Sequence, residues 1–445
     1  MFGLLEYTIS ECNHLRCSLL SPHNLIETLL TIANKLTLFA FAILVIISCN
    51  TPVAEKKISL KTGEYELLFA VGENGIPVRL SIDSSHHWTI HNWNENIPLE
   101  SIKISGATFH IDMPLFNTSL DGVITTDSTF HGNWTDHSRD SLYQISFTAT
   151  HHADFRPRHV IDTNLADKLT YEVVFSPDSI DDLSKAIGIF YRNDNTLVGT
   201  FLTESGDYRF LEGEDTGKSL HLSSFDGAHL FYFCANREGN QLTDGKFYSG
   251  KHWSEEWRGA MNATASLRNP DSLTFVQDKK TAFSFSVRNF AGDSVLFDSF
   301  RFAGHVSVVQ IFGSWCPNCT DESVFMRSLY QKLHDRGLEI IPIAFERTED
   351  ISIAKQAVLS QFEELNLEYT PYFGGASNKG QASKTFNKLS KITSYPTMVI
   401  VDKKGVVRKI HTGFYGPGTG EHYDRHTAEL TEFIEQLLSE NQPPM

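Results

Sequence analysis

Two cysteines spaced two residues apart, Cys316 and Cys319, are the side chains of this sequence best suited to chemistry. In Cys316-Pro317-Asn318-Cys319 the spacing lets one sulfur attack while the other reaches back to close a disulfide. A helix starting at or just after Cys316 points unsatisfied N–H groups and its positive end at that sulfur, which favours thiolate. A thiolate at Cys316 would attack a disulfide and form a mixed disulfide, which Cys319 would then resolve. Pro317 removes a donor and stiffens the loop, and Asn318 suits a turn or a helix cap. Half of a zinc site is one competing reading, but the folded part offers only one further cysteine, Cys234, alone in a β segment. An inert disulfide is the other, and it would gain little from closing so short a loop.

Such a pair needs a buried strand before it and a helix after it. Residues 306–312 form a continuous apolar-rich run, as expected of a strand covered on both faces. The pattern predicts a helix over 319–334, a second buried strand over 338–345, and a helix over 351–365 with Ile353, Ala357, Phe362 and Leu365 facing inward. A hairpin is expected over 283–297, an insertion around 372–381, and a short helix ending near 392. Strands at 397–401 and 406–410 joined by Asp402-Lys403-Lys404-Gly405, then a helix over 427–438, complete an α/β sandwich assigned to residues 281–440.

Ahead of it, residues 58–273 read as an antiparallel all-β domain, a sandwich or an open barrel, from short alternating runs broken by turn signals. Gly72-Glu73-Asn74-Gly75 and Glu204-Ser205-Gly206-Asp207 are hairpin cues, and Pro77 suggests a sheet edge. Its aromatic residues, among them Trp88, Trp93, Phe231 and Phe233, are expected in the core. Residues 49–57 read as a tether and 1–48 as a leader. The leader ends in a 13-residue apolar run, 36–48, too short to span a bilayer and suited to the apolar centre of a signal peptide. Ile46-Ile47-Ser48-Cys49 resembles a bacterial lipobox, which makes Cys49 the expected lipid attachment site. Residues 1–34 are unusually long for the start of such a leader and carry little positive charge.

The 445 residues carry a formal charge of -16, which argues against nucleic acid, whose phosphates must be met by Lys and Arg. A hydrophobic content of 41% suits a globular chain. Histidines are numerous in the β region, but adjacent pairs such as His86-His87 point to opposite faces of a strand, so no metal is expected.

The stretch from Val308 through Gly313-Ser314-Trp315-Cys316-Pro317-Asn318-Cys319, continued by Glu322 and by Ser394-Tyr395-Pro396-Thr397, resembles the TlpA/ResA-like branch of the thioredoxin superfamily. The resemblance covers the C-terminal third. It implies a thioredoxin fold, no cofactor beyond a redox-active Cys316–Cys319 disulfide, and placement in a bacterial cell envelope, lipid-anchored and facing the periplasm or exterior. The implied partners are protein disulfide or thiol clients and an upstream thiol electron donor. By the same resemblance Pro396 would be cis and face the cysteines, Trp315, Pro317 and Tyr395 would border the client, and Glu322 would serve catalysis beside the pair. A carboxylate in the first turn could equally do no more than stabilise the helix dipole. The chain departs from the pattern at Gln310, where thioredoxins carry a buried Asp, and at Ser323, where relatives carry Pro. A peroxiredoxin-like peroxidase is the alternative enzyme, but Gly313 stands where that chemistry wants Thr. A different class of reading makes the chain a partner- or ligand-binding lipoprotein whose β domain selects the client.

Overall fold

The computed structural model describes residues 59–73, 75–139, 142–152, 166–278 and 282–440. The leader, the tether and Cys49 lie outside the described residues, as does Asn74 of the first hairpin cue.

Strand Val306–Phe312 is buried at every position, as its apolar-rich run requires once both sheet faces are covered. It is a central strand of a seven-stranded sheet, parallel to Leu338–Glu346 on one side and antiparallel to Thr397–Val401 on the other. Tyr372–Ala376, Phe285–Arg288 and Ser294–Phe297 extend one edge, and Val407–Thr412 forms the other. Residues 372–376, read from sequence within an insertion, are therefore a strand, parallel to Leu338–Glu346. Helices Pro317–Leu333 and Glu421–Ser439 pack together, and helix Ile351–Glu364 packs beside Tyr372–Ala376. On that last helix the buried face is Ala354, Val358, Gln361 and Phe362: Phe362 faces inward as expected, but Ala354 and Val358 are buried in place of Ile353 and Ala357, and Ile353 is 60% exposed.

The antiparallel β region resolves into two nine-stranded sheets. In the first, Gly63–Phe69 to Tyr143–His151, sequential strands pair and the first also pairs with the ninth, so the sheet rolls up. Its free edges are Glu95–Leu99 and Ser101–Ser105. Tyr65, Leu67 and Phe69 alternate inward with the period of two that a half-buried strand imposes. Pro77 lies in a strand with neighbours on both sides, not at an edge. Pairing with the far neighbour begins only at Arg79, so the missing N–H breaks no ladder bond on that side.

The second sheet closes completely: Asp167–Phe175 pairs with Trp253–Met261, and Ser184–Asn193 with Thr196–Thr203. Eight strands form the ring, with the two-residue strand Gly206–Asp207 added beside Thr196–Thr203. Eight strands leave an interior just wide enough for side chains to fill. Phe201, Phe233 and Phe247 stack there with centroids 4.4 Å apart in each step, backed by Phe175 and Trp257. This is a packed aromatic core.

Candidate functional site

The cysteine pair sits where the central strand turns into its helix. Gly313 is required at the turn because a Cβ there would collide with the Trp315 indole and lie 2.8 Å from the Phe345 carbonyl. Trp315 folds back and donates its indole N–H to that carbonyl at 3.0 Å. Ser314 donates its N–H and hydroxyl to Glu346, and Gln361 donates to the Ser314 carbonyl and the Thr320 hydroxyl. Cys316 then caps the helix itself: its sulfur accepts the N–H of Cys319 at 3.4 Å, and Pro317 occupies the first turn where its lost N–H costs nothing. Both thiols are free; Cys316 is 5% exposed and Cys319 fully buried.

The second loop completes the site. Tyr395–Pro396 is a cis peptide, and the Cys316 thiol lies 3.7 Å from the Tyr395 carbonyl, to which it donates. The Tyr395 ring meets Trp315 edge-on at 5.9 Å. The structure thus brings Trp315, Cys316, Pro317, Tyr395 and Pro396 together.

Glu322 lies behind the pair, wholly buried, on the face of the helix that meets the central strand. Gln310 on that strand donates to Glu322 Oε2 at 2.9 Å and to the Ser323 hydroxyl at 3.1 Å, while Glu322 Oε1 has no partner among the described residues. Burial pushes the Glu322 carboxyl up to about 8, against the pull of the Gln310 bond. Burial also pushes the Cys319 thiol well up, reinforced by its contact with Cys316 and by the charge of Glu322. The sequence offers Gln310 and Glu322 as separate observations; the fold makes them one hydrogen-bonded unit.

The β region reaches into the site, which sequence reasoning missed. Asn318, between the cysteines, donates to Asp207 Oδ1 at 3.0 Å and to the Asp207 and Phe414 carbonyls. Asp207 also accepts the Gly416 N–H at 2.7 Å. Gly206 has φ +143°, and a Cβ there would come within 2.7 Å of the Asn318 side chain. Two residues beyond Asp207, Arg209 pairs with Asp321 of the active-site helix at 3.0 Å, with Asp226, and with Glu95 of the first sheet. Burial raises Asp321 to about 7; neighbouring Asp207 and Glu95 raise it too, while Arg209 opposes them. On the opposite flank Arg347 donates to Asp136 and Ser138 of the first sheet, and its guanidinium lies 5.4 Å from the Trp315 ring centre. Glu346, at the end of its strand, is a buried brace for Ser314, and Arg347 beside it ties the site to the first sheet. No signal in the chain marks these contacts, since 111 residues separate Asn318 from Asp207.

Comparison with known proteins finds likeness in the C-terminal third of the chain. A family model described as Redoxin matches residues 276–425. The thiol-disulfide oxidoreductase ResA of Bacillus thuringiensis subsp. konkukian is 27% identical over 153 residues, spanning 34% of this chain and 78% of that relative. The thioredoxin-like protein YneN of Bacillus subtilis is 23% identical over 138 residues, 31% of this chain and 73% of its own. Among solved structures, a thiol:disulfide interchange protein of the thioredoxin family from Chlorobium tepidum aligns at 21% identity with a TM-score of 0.27, covering 39% of this chain and all of that one. The C-terminal third carries a redoxin, thioredoxin-like domain with distant likeness to ResA.

Proposed function

We infer that this chain, a thioredoxin-like thiol–disulfide oxidoreductase, exchanges disulfides with protein clients outside the cytoplasm, held at a bacterial membrane by a lipid on Cys49. The observation that carries the exchange reading is the paired placement of the sulfurs: Cys316 at the helix N-terminus accepting a backbone N–H, Cys319 buried one turn inside. In the reducing direction the Cys316 thiolate attacks one client sulfur, the client S–S bond breaks, and the other client cysteine leaves as thiolate. Cys319 gives its proton to the Glu322 carboxylate and attacks Cys316. The mixed disulfide breaks, the second client thiolate leaves, and the Cys316–Cys319 disulfide remains for an upstream thiol donor to reduce. A buried acid close to neutral pH is matched to that transfer. Trp315, Pro317, Tyr395 and Pro396 border the approach to Cys316 and are the surfaces assigned to the client. The membrane placement draws on the apolar run 36–48 and the lipobox-like Ile46-Ile47-Ser48-Cys49.

Cys319→Ser stops the reaction after its first step and is expected to accumulate covalent client adducts in cells, released by reductant. Cells yielding no reducible adduct with Cys319→Ser would overturn the exchange reading. Cys49→Ala is expected to leave an unprocessed or soluble protein, because the acyl chains supply the membrane affinity.

A further inference from the structure

A cleft of about 470 Å³ separates the second barrel from the redox domain. Pro317 and Asn318, between the cysteines, and Ser394, two residues before the cis proline, line one side. Lys185, Glu204 and Tyr208 of the barrel line the other. The flanks of the cysteine loop are already occupied, by Asp207 and Phe414 at Asn318 and by the Arg347–Asp136 tie beside Trp315. A polypeptide that brings a disulfide along this cleft to Cys316 lies against the barrel wall.

The charge of the cleft's lining, taken over both sides, runs opposite to the chain's. The lining holds four cations, Lys185, Arg268, Lys379 and Lys391, and two carboxylates, Glu204 and Asp207. Arg268 and Glu204 satisfy each other through a two-pronged ion pair. Asp207 is buried and spent on the N–H groups of Gly416 and Arg209 and on Asn318. Lys185 pairs loosely with the exposed Glu172, at 3.9 Å, and feels the charge of Glu204, while Lys379 and Lys391 are exposed with no ion-pair partner among the described residues. Two unpaired ammonium groups, Lys379 and Lys391, and the loosely paired Lys185 therefore line an opening beside the cysteine loop in a chain whose net charge is -16.

We propose that this cleft receives an extended client segment in which Asp or Glu residues flank the target disulfide, and that Lys379 and Lys391, with Lys185, select it. The proposal rests on the reading of the chain as an exchanger of protein disulfides. Exposed charges act over about 8 Å at physiological salt, so the selection is local, acts mainly on the rate of encounter, and weakens as salt rises.

The test uses the full chain, reduced, and three peptides of equal length that differ only in whether Glu, Gln or Lys flanks an internal disulfide. The second-order rate of peptide reduction is expected to fall in the order Glu, Gln, Lys, by about tenfold from first to last at low ionic strength, with the spread closing in high salt. A Lys379→Glu/Lys391→Glu variant should invert the order. Should that variant fail to fold, Lys379→Gln/Lys391→Gln should flatten it. Equal rates for the three peptides with the unaltered protein would overturn the proposal, and so would an unchanged order in either folded variant. The Gln peptide separates the two levels: if none of the peptides is reduced, the exchanger reading itself fails and the selection falls with it.

Discussion

In the proposed exchange Glu322 carries the proton step, because it is the buried acid whose charge acts on Cys319. Replacing it by Gln keeps the shape and removes the proton exchange; disulfide exchange should slow by about tenfold or more, with a changed pH profile. The replacement also has a stability signature. The carboxyl rises from 4.5 to about 8 on burial, so the folded state holds a proton that the unfolded chain releases. The stability this group contributes is fully present below pH 4.5 and is lost as pH rises to about 8. Glu322→Gln should therefore lose less stability than the unaltered protein across that window in denaturant titrations; parallel pH curves would mean the acid is solvated. Among the thiols, alkylation at mildly acidic pH should label Cys316 before Cys319 or Cys234, both pushed up by burial, with mass spectrometry reading the order. Simultaneous labelling of all three would contradict the assigned roles. The pair and the nearby acid were legible because their spacing carries the chemistry. The depth of Glu322 and its bond to Gln310 were not, since both depend on a helix folding back onto a strand.

At the scale of elements, the strand–turn–helix carrying the cysteines was readable because a doubly covered strand leaves an unmistakable apolar run. Helix Ile351–Glu364 shows where such reading slips. Apolar residues occupy more than one face, and a polar side chain, Gln361, is fully buried because it ties Ser314 to Thr320. Hydrophobic periodicity assigns Gln361 to solvent and turns Ile353 and Ala357 inward in place of Ala354 and Val358. The hairpin tip at Gly206 gives the corresponding prediction. Gly206→Ala forces a side chain into a backbone region it rarely adopts and drives its Cβ at Asn318. The expected cost is about 1–3 kcal/mol in chemical denaturation, accompanied by a changed alkylation rate at Cys316. An unaltered midpoint and unaltered alkylation would show that the tip gives way freely.

Across the whole molecule, Arg209 connects three sheets. It belongs to the barrel, and its guanidinium meets Glu95 from the first sheet and Asp321 from the active-site helix, with Asp226 closing the ring. Removing it leaves buried carboxylates without a counter-charge, so Arg209→Met should destabilise the protein by about 3–5 kcal/mol in equilibrium unfolding. A loss below 1 kcal/mol would show that the carboxylates pick up protons or water at little cost. Residues 95, 209, 226 and 321 lie too far apart in the chain for any local pattern to join them, which is why the sequence reveals the separate parts and not their union. The closed ring of the barrel has a further consequence. A sheet with an open edge can hold an unfolded polypeptide by adding it as one more strand, through backbone bonds indifferent to sequence and slow to break. Among the described residues the ring leaves no such edge beyond the two-residue strand Gly206–Asp207, since Asp167–Phe175 is bonded to Trp253–Met261. A chain resting against it gains no ladder, so it can be read only through its side chains, and once its sulfurs have been exchanged nothing in the wall detains it.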